Sequence, residues 1–136
     1  MRKVFVDTDV ILDFLLGRDL YLSEITEIME KSITGIFDLS VSAVTISNLY
    51  YIIAKIQNKR SARAKIKKIL KLVKVENVGE TVIQKASESV FGDFEDAVQN
   101  FCAEEAKHKI IVTRNTRDFR ASKLAIMTPK EFLSRV

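Results

Sequence analysis

The sequence predicts an α/β domain in which short strands form one parallel sheet with helices on both faces. Short apolar segments alternate with longer segments whose apolar residues recur every three or four positions. Strands that are apolar throughout are typical of a sheet covered on both sides. Because 136 residues contain no linker rich in Pro, Gly or Ser, we expect one domain spanning 1–136, with about four to five strands.

The first half of the chain predicts two strands and four helices. An apolar run at 4–6 ends at Asp7, and apolar residues then recur at helical spacing. The predicted elements are a strand at 4–6, a helix with apolar positions between 10 and 15, a helix from Ser23 to near Gly35, a strand at 39–41, a helix with apolar positions between 44 and 56, and a basic helix whose apolar side runs from 62 to 73.

The second half predicts three strands and three helices, and its clearest strand is the apolar run at 110–113. Pro129 suits the first position of a terminal helix. The predicted elements are a strand through Val73, Val75 and Val78 that ends at Gly79, a helix through Val82, Ala86 and Val90, a helix from Asp93 to Lys109, strands at 110–113 and 125–127, and a helix from Pro129.

Composition excludes several classes of protein. The longest uncharged stretch, 39–54, carries five Ser, Thr or Asn residues and is a poor membrane span. Acidic residues from Asp7 onward interrupt the apolar start, so we expect no signal peptide and a soluble cytoplasmic protein. One cysteine and one histidine cannot build a disulfide or a Cys/His zinc site. We expect His108 to cap a helix C-terminus or lie on the surface.

Basic residues are concentrated in one segment. Nine of the 22 Lys and Arg residues lie between Lys55 and Lys74, where no acid occurs, and all 18 Asp and Glu residues lie elsewhere. Such asymmetry is typical of proteins that bind phosphate backbones, although a solvated helix face has the same composition. The residues expected to contact nucleic-acid phosphates are Lys67, Lys68 and Lys71.

Acidic residues occupy three predicted junctions between a strand and a helix. Asp7 follows the first strand, Asp93 and Asp96 open a helix, and Asp118 follows the strand at 110–113. Sites in parallel sheets form beyond the carboxyl ends of the strands. Carboxylates that converge there repel one another unless a hard cation such as Mg²⁺ or Mn²⁺ lies between them.

Each acidic residue also has a structural interpretation. Asp93 and Asp96 form a near capping box, Asp7 could cap the first helix, and Asp118 could be a turn residue. We interpret Asp13, and Asp9 with it, as structural or solvated. Three acidic clusters on a chain with a basic segment nevertheless favour phosphodiester chemistry.

Three motifs resemble those of the PIN-domain ribonucleases. Residues 4–13, VFVDTDVILD, resemble the opening strand and loop of that family, and 93–97 and 111–119 resemble its later acidic motifs in the right order. The resemblance covers essentially the whole chain. It implies a metal-dependent nuclease, and small members such as the VapC-like proteins are toxins of toxin–antitoxin pairs.

The resemblance also implies roles for individual residues. It makes Asp7, Asp96 and Asp118 the catalytic metal ligands for Mg²⁺ or Mn²⁺, with Asp93 as a second candidate in its motif. The supporting polar residues that it implies are Thr113, Asn115 and Asn48.

Asn48 departs from the family pattern. The family usually places a Glu early in the helix after the second strand, and an amide there can bond a metal-bound water but brings no charge. Asn115 likewise stands where many relatives have an Asp. The open question is whether the site is active.

Two other functions fit parts of the sequence. Asp7-Thr8-Asp9 and Gly92–Asp96 resemble the motifs of haloacid-dehalogenase-like phosphatases, but position 11 is Ile and no cap domain fits in the chain. A PIN-like domain that binds RNA or an antitoxin without cutting is favoured by Asn48. Metal-dependent RNA cleavage, ester hydrolysis or neither would separate the three functions.

The resemblance to VapC-like proteins further implies a homodimer and an antitoxin that covers the acidic residues and offers them a cation. Repelling carboxylates would accept an inserted Arg or Lys in place of a metal. We expect some of the apolar residues at 14–16 and 50–51 to lie at a two-fold interface.

Overall fold

A computed structural model describes residues 2–136, which form a sheet of five parallel strands. The order across the sheet is β3-β2-β1-β4-β5. This architecture confirms the predicted α/β fold with helices on both faces. The strands are β1 (Arg2–Val6), β2 (Phe37–Ser42), β3 (Lys74–Glu76), β4 (Ile110–Val112) and β5 (Ala125–Met127).

Within residues 2–136, six helices and one 3₁₀ turn connect the strands, and a seventh helix follows β5. Gly17 ends α1 with φ 65°, a left-handed conformation that glycine adopts without strain, and its N–H donates to carbonyl oxygens of the last turn. The helices are α1 (Thr8–Leu16), α2 (Asp19–Ile33), α3 (Ala43–Ile56), α4 (Lys59–Leu70), α5 (Glu80–Ser87), α6 (Phe94–Glu105) and α7 (Pro129–Leu133), and the 3₁₀ turn is Thr116–Phe119.

Alternation along β1 gives the sheet two cores. Val4 and Val6 join a core formed with α1, α2, α3, α4 and α7, whereas Phe5 joins a core with α5 and α6 on the opposite face. All three side chains are fully buried. Because side chains alternate between the faces of a strand, a continuous apolar run supplies both cores, as the sequence predicted.

The strand order places a crevice beyond the carboxyl ends of β1 and β4. β1 pairs with β2 on one side and with β4 on the other, so the chain changes direction of winding at β1. Asp7 N donates to the carbonyl of Val112 at 2.9 Å, which holds the two strand ends together. In open parallel sheets this is where ligands bind.

β3 and α5 are shorter than the sequence predicted. β3 ends at Glu76, so Val78 lies outside it, and α5 ends at Ser87, which leaves Val90 89% exposed. The hydroxyls of Ser87 and Ser89 donate to carbonyl oxygens in the last turn of α5 at 2.8 and 2.9 Å. Such side-chain bonds compete with continued helix formation.

α6 ends at Glu105 rather than at Lys109, and the prediction for His108 was wrong. Lys107 has φ 67°, which breaks the helix. His108 is 3% exposed and its Nε2 lies 2.7 Å from Oε2 of Glu76, a buried residue at the end of β3. His108 is therefore a buried partner of a carboxylate, because the turn at Lys107 directs its side chain inward instead of leaving it exposed at a helix end.

The longest uncharged stretch, 39–54, spans the end of β2 and most of α3. Within residues 2–136, every helix is too short or too polar to cross a bilayer. Leu39, Leu49 and Ile53 are buried in the core instead.

Candidate active site

Asp7 lies at the centre of the crevice, where it leaves β1 and caps α1. Its Oδ1 accepts the N–H of Thr8 at 2.8 Å, and its Oδ2 accepts the hydroxyl of Thr113 at 2.8 Å. Asp7 is 7% exposed, and burial, together with Asp118, raises its pKa against these hydrogen bonds. The capping interpretation of Asp7 is confirmed, and the cap also fixes its carboxylate.

A buried polar network behind Asp7 was missed by the sequence analysis. Gln99 of α6 is fully buried, and its Nε2 donates to the hydroxyls of Thr8 at 3.0 Å and Thr45 at 2.6 Å and lies 3.4 Å from Oδ1 of Asp7. This network links α1, α3 and α6 at one point. The spacing could have indicated that Gln99 lies near the site, since Gln99 follows Asp96 by three residues and lies on the same side of the helix.

Asp93 and Asp96 open α6 as the near capping box predicted. Oδ1 of Asp93 accepts the N–H of Asp96 at 3.0 Å, so Asp93 is the N-cap and Asp96 is half-buried behind it. Burial, together with the charges of Asp7, Asp93 and Asp118, raises the pKa of Asp96 to about 7. Asp96 is therefore within electrostatic range of the other predicted ligands.

Asn48 does not stand alone on α3. Its Nδ2 donates to Oε1 of Glu95 at 2.8 Å, so a carboxylate on the first turn of α6 lies against the amide. Burial, Asp7 and Asp93 raise the pKa of Glu95. Glu95 lies within the acidic motif at 93–97, but its spacing in the sequence did not indicate that it would contact Asn48.

The loop after β4 brings Thr113, Asn115 and Asp118 to the crevice. The hydroxyl of Thr113 donates to Asp7 and accepts the N–H of Asn115 at 3.1 Å. Asn115 Nδ2 donates to Oδ2 of Asp9 at 2.9 Å. Asp118 is exposed in the 3₁₀ turn, at the mouth of the crevice. We call Asp7, Asp96 and Asp118 the acidic pocket.

Asp13, and Asp9 in part, are structural, as predicted. Asp13 is 1% exposed, its Oδ2 forms an ion pair with Nε of Arg114 at 3.0 Å, and its Oδ1 accepts a hydrogen bond from NH1 of Arg18 at 3.4 Å. Asp9 lies 3.7 Å from Arg114 Nε, and burial and Asp7 raise the pKa of Asp9 to about 7. These ion pairs fix the loops beside the acidic pocket.

The donor set of the acidic pocket suits a hard divalent cation. All its ligating atoms would be carboxylate oxygens, and burial, reinforced by neighbouring carboxylates, raises the pKa of Asp7 and Asp96, an unfavourable effect that a bound cation would relieve. Within residues 2–136, no three His, Cys, Asp or Glu side chains lie close enough to ligate one ion together. Mg²⁺ fits this arrangement because it commonly takes one or two carboxylates and keeps its other waters.

Lys67 lies in a groove between α3 and α4. The groove encloses about 440 Å³ and is lined by Tyr50, Tyr51, Arg63 and Lys67 among others. Tyr51 is 69% exposed. Two cations and two phenol rings therefore share one surface.

Lys68 and Lys71 point elsewhere. The Nζ of Lys68 lies 5.2 Å from the ring centre of Phe14 on α1, and Lys71 lines a cavity with Lys3 and Lys74 at the amino edge of the sheet. The acidic pocket lies at the opposite edge. The three lysines thus occupy separate surfaces, and their contact with phosphates stays a prediction.

Two sequence comparisons show similarity to known proteins over most of this chain. The sequence profile of the PIN domain family matches residues 3–117. Ribonuclease VapC1 from Aquifex aeolicus is 29% identical over 139 residues, which cover 98% of this chain and 95% of that protein.

Two solved structures share the fold. DNA-bound VapBC from Salmonella typhimurium matches with a TM-score of 0.74 at 16% identity, covering 95% of this chain and 99% of that chain. A toxin–antitoxin complex from Klebsiella pneumoniae matches with a TM-score of 0.68 at 18% identity, covering 93% and 97%. At these identities the likeness concerns the fold alone.

Proposed function

Because the chain belongs to the PIN-domain family, we propose that it is a metal-dependent endoribonuclease, the VapC-like toxin of a toxin–antitoxin pair. The proposal is carried by the acidic pocket, in which Asp7 is held rigidly and Asp96 has a raised pKa at the carboxyl edge of the sheet. The full-length similarity to a protein named ribonuclease VapC1 supports it.

Asp7 and Asp96 would hold the cation, Mg²⁺ or Mn²⁺, with Asp118 and Asp93 as further acceptors. The bound ion supplies a water of lowered pKa and stabilises charge that develops on the phosphate. Thr113 and Thr8 fix the orientation of the Asp7 carboxylate, and Gln99 joins α6 to α1 so that Asp96 keeps its distance from Asp7. Hydrolysis adds water across one P–O bond of RNA, and the leaving oxygen takes a proton.

The test is cleavage of structured RNA by the purified protein with Mg²⁺ or Mn²⁺ and with EDTA. Cleavage that needs the metal supports the nuclease. Hydrolysis of a small phosphate ester alone would favour the phosphatase, which the family match already disfavours. RNA binding without any cleavage would favour the non-enzymatic domain.

Lys67→Glu is expected to weaken RNA binding across sequences and to reduce the slope of log K against log salt by about one. Lys67 shares its groove with Arg63, so reversal also repels the phosphates that Arg63 would attract. Binding is measured by fluorescence anisotropy from 50 to 200 mM salt with an uncleavable RNA. Lys68→Glu and Lys71→Glu are measured in parallel, and Lys85→Glu on the exposed face of α5 is the control. A slope equal to that of the control removes Lys67 from the RNA surface.

We further propose that the chain forms a homodimer and that an antitoxin competes with the metal for the acidic pocket. Leu15 is buried in the core, but Tyr51 is 69% and Ile56 is 58% exposed on α3, and these apolar side chains are available for a two-fold contact. Sedimentation at micromolar concentration is expected to give a dimer. The antitoxin encoded beside this chain is expected to lose inhibition as Mg²⁺ is raised. A monomer contradicts the first expectation, and inhibition unaffected by Mg²⁺ contradicts the second.

A further inference from the structure

We propose that a cavity beside the acidic pocket binds one base of the RNA, which stacks on Tyr21 and forms hydrogen bonds with Asn115. This inference rests on the proposed function, and it gives the substrate a second point of attachment next to the proposed cleavage site. The cavity encloses about 280 Å³. The side chains that line it include Leu20, Tyr21, Arg114, Asn115, Pro129 and Lys130.

Three segments of the chain meet at this cavity. The first turn of α2 contributes Leu20 and Tyr21, the loop after β4 contributes Arg114 and Asn115, and the start of α7 contributes Lys130. The loop and α7 follow the carboxyl ends of β4 and β5, which are neighbouring strands. The cavity therefore lies at the same edge of the sheet as the acidic pocket.

Asn115 connects the cavity to Asp7. The backbone N–H of Asn115 donates to the hydroxyl of Thr113 at 3.1 Å, and that hydroxyl donates to Oδ2 of Asp7 at 2.8 Å. The side-chain Nδ2 of Asn115 donates to Oδ2 of Asp9 at 2.9 Å, which fixes the plane of the amide. Because Asn115 is exposed, the second N–H and the oxygen of its amide are available to the edge of a base.

Tyr21 provides an aromatic surface whose orientation is fixed. The guanidinium carbon of Arg114 lies 4.5 Å from the ring centre of Tyr21, and Nε of Arg114 lies 3.0 Å from Oδ2 of Asp13. Tyr21 is 36% exposed, and Leu20 beside it is 83% exposed. A base stacked on Tyr21 would cover this apolar surface, and every base has a π-face that allows such stacking.

The size and chemistry of the cavity favour a nucleotide over a protein segment. Its volume lies just below the range of about 300–1,000 Å³ that is typical of small-molecule sites, whereas a helix is about 10 Å across and binds along a groove. The charged residues of the lining are Glu24, Arg114 and Lys130. Since Arg114 is paired with Asp13, the exposed Lys130 is the cation available to the phosphate of the bound nucleotide.

The first measurement is an NMR titration of the isotope-labelled full chain with millimolar adenosine monophosphate in EDTA. We expect the backbone amide signals of Tyr21, Asn115 and Lys130 to shift. The adenine protons should move upfield, because they would lie over the ring of Tyr21. Ribose phosphate, which lacks the base, is the matched control ligand and should leave the signal of Tyr21 in place.

The second measurement compares variants of α2. Tyr21→Ala is expected to weaken the binding of adenosine monophosphate, and of an uncleavable RNA pentanucleotide in EDTA, by about tenfold, which is within the range that stacking of one base contributes. Tyr21→Phe keeps the ring and should bind as the wild type does. Ile33→Ala, at the exposed far end of α2, is the matched control. Thermal unfolding of all three variants checks that the fold is retained.

These outcomes separate this inference from the proposed function. Shifts at the cavity that require the ring of Tyr21 support the inference, even if the wild type cuts no RNA. Metal-dependent cleavage without such shifts supports the proposed function alone and overturns the inference. Shifts confined to the groove around Lys67, equal shifts with ribose phosphate, or full affinity in Tyr21→Ala also overturn it. If the antitoxin shifts these amide signals and adenosine monophosphate does not, the cavity binds protein and the inference is wrong.

Discussion

Asp7→Asn is expected to lower the rate of metal-dependent RNA cleavage by at least about 100-fold, because substitutions outside the ligand shell already cost up to that much. Asn removes the ligand charge but keeps the structural role. Asn is as good an N-cap as Asp for α1, and its amide can still form a hydrogen bond with the hydroxyl of Thr113. The fold should therefore be retained, and because burial raises the pKa of Asp7, the metal-free variant should be at least as stable as the wild type at neutral pH.

The measurement is single-turnover cleavage of a labelled RNA, with circular dichroism and urea unfolding of the same samples. Asp38→Asn is the matched control, since Asp38 is exposed on β2. Cleavage by Asp7→Asn at the control rate would remove Asp7 from the chemistry. If Asp7→Asn loses both its fold and its cleavage activity, the role of Asp7 is limited to capping α1.

Asp96→Asn is expected to lower the cleavage rate to a similar extent and to stabilise the metal-free protein at pH 8. Burial and neighbouring carboxylates raise the pKa of Asp96 to about 7, above its ordinary value. Between the ordinary pKa of an Asp and a pH of about 7, Asp96 is therefore protonated in the folded chain but ionised in the unfolded chain. Stability from Asp96 is present at low pH and is lost as pH rises through about 7.

Because Asn never ionises, the stability difference between Asp96→Asn and the wild type should grow from pH 5 to pH 8 in EDTA. We expect a gain of about 1 kcal/mol at pH 8, since solvent screens a half-buried group and the dipole of α6 favours the lost charge. Urea unfolding at both pH values measures it, and Mn²⁺ should stabilise the wild type more than the variant.

Asp93→Asn is the control for this position, because it keeps the N-cap of α6 while removing a neighbouring charge. Its effect on cleavage should be milder. If Asp93→Asn is as damaging as Asp96→Asn, the ligand roles within 93–97 are assigned wrongly. A stability difference that does not change with pH would show that Asp96 ionises normally in the folded state.

The sequence by itself determined the fold class and the places where the acids emerge. Continuous apolar runs at 4–6 and 110–112 predicted strands buried on both faces, and parallel strands necessarily present their carboxyl ends at one edge. Asp7 and the residues at 93–97 were found this way because capping and strand ends are local features. Their signals lie within a few residues of one another.

Only the tertiary structure decided which side chains meet across that edge. Asn48 contacts Glu95 and His108 contacts Glu76, pairs separated by 47 and 32 residues, and neither contact has a periodicity or spacing that a sequence pattern could reveal. The directions of Lys67 and Lys68 on α4, and of Lys71 just after it, were likewise undecided, because helical phase fixes relative angles along a helix but not the elements that the helix faces. Contacts of this kind depend on how twisted strands and packed helices are placed in three dimensions, and that placement is a property of the whole chain.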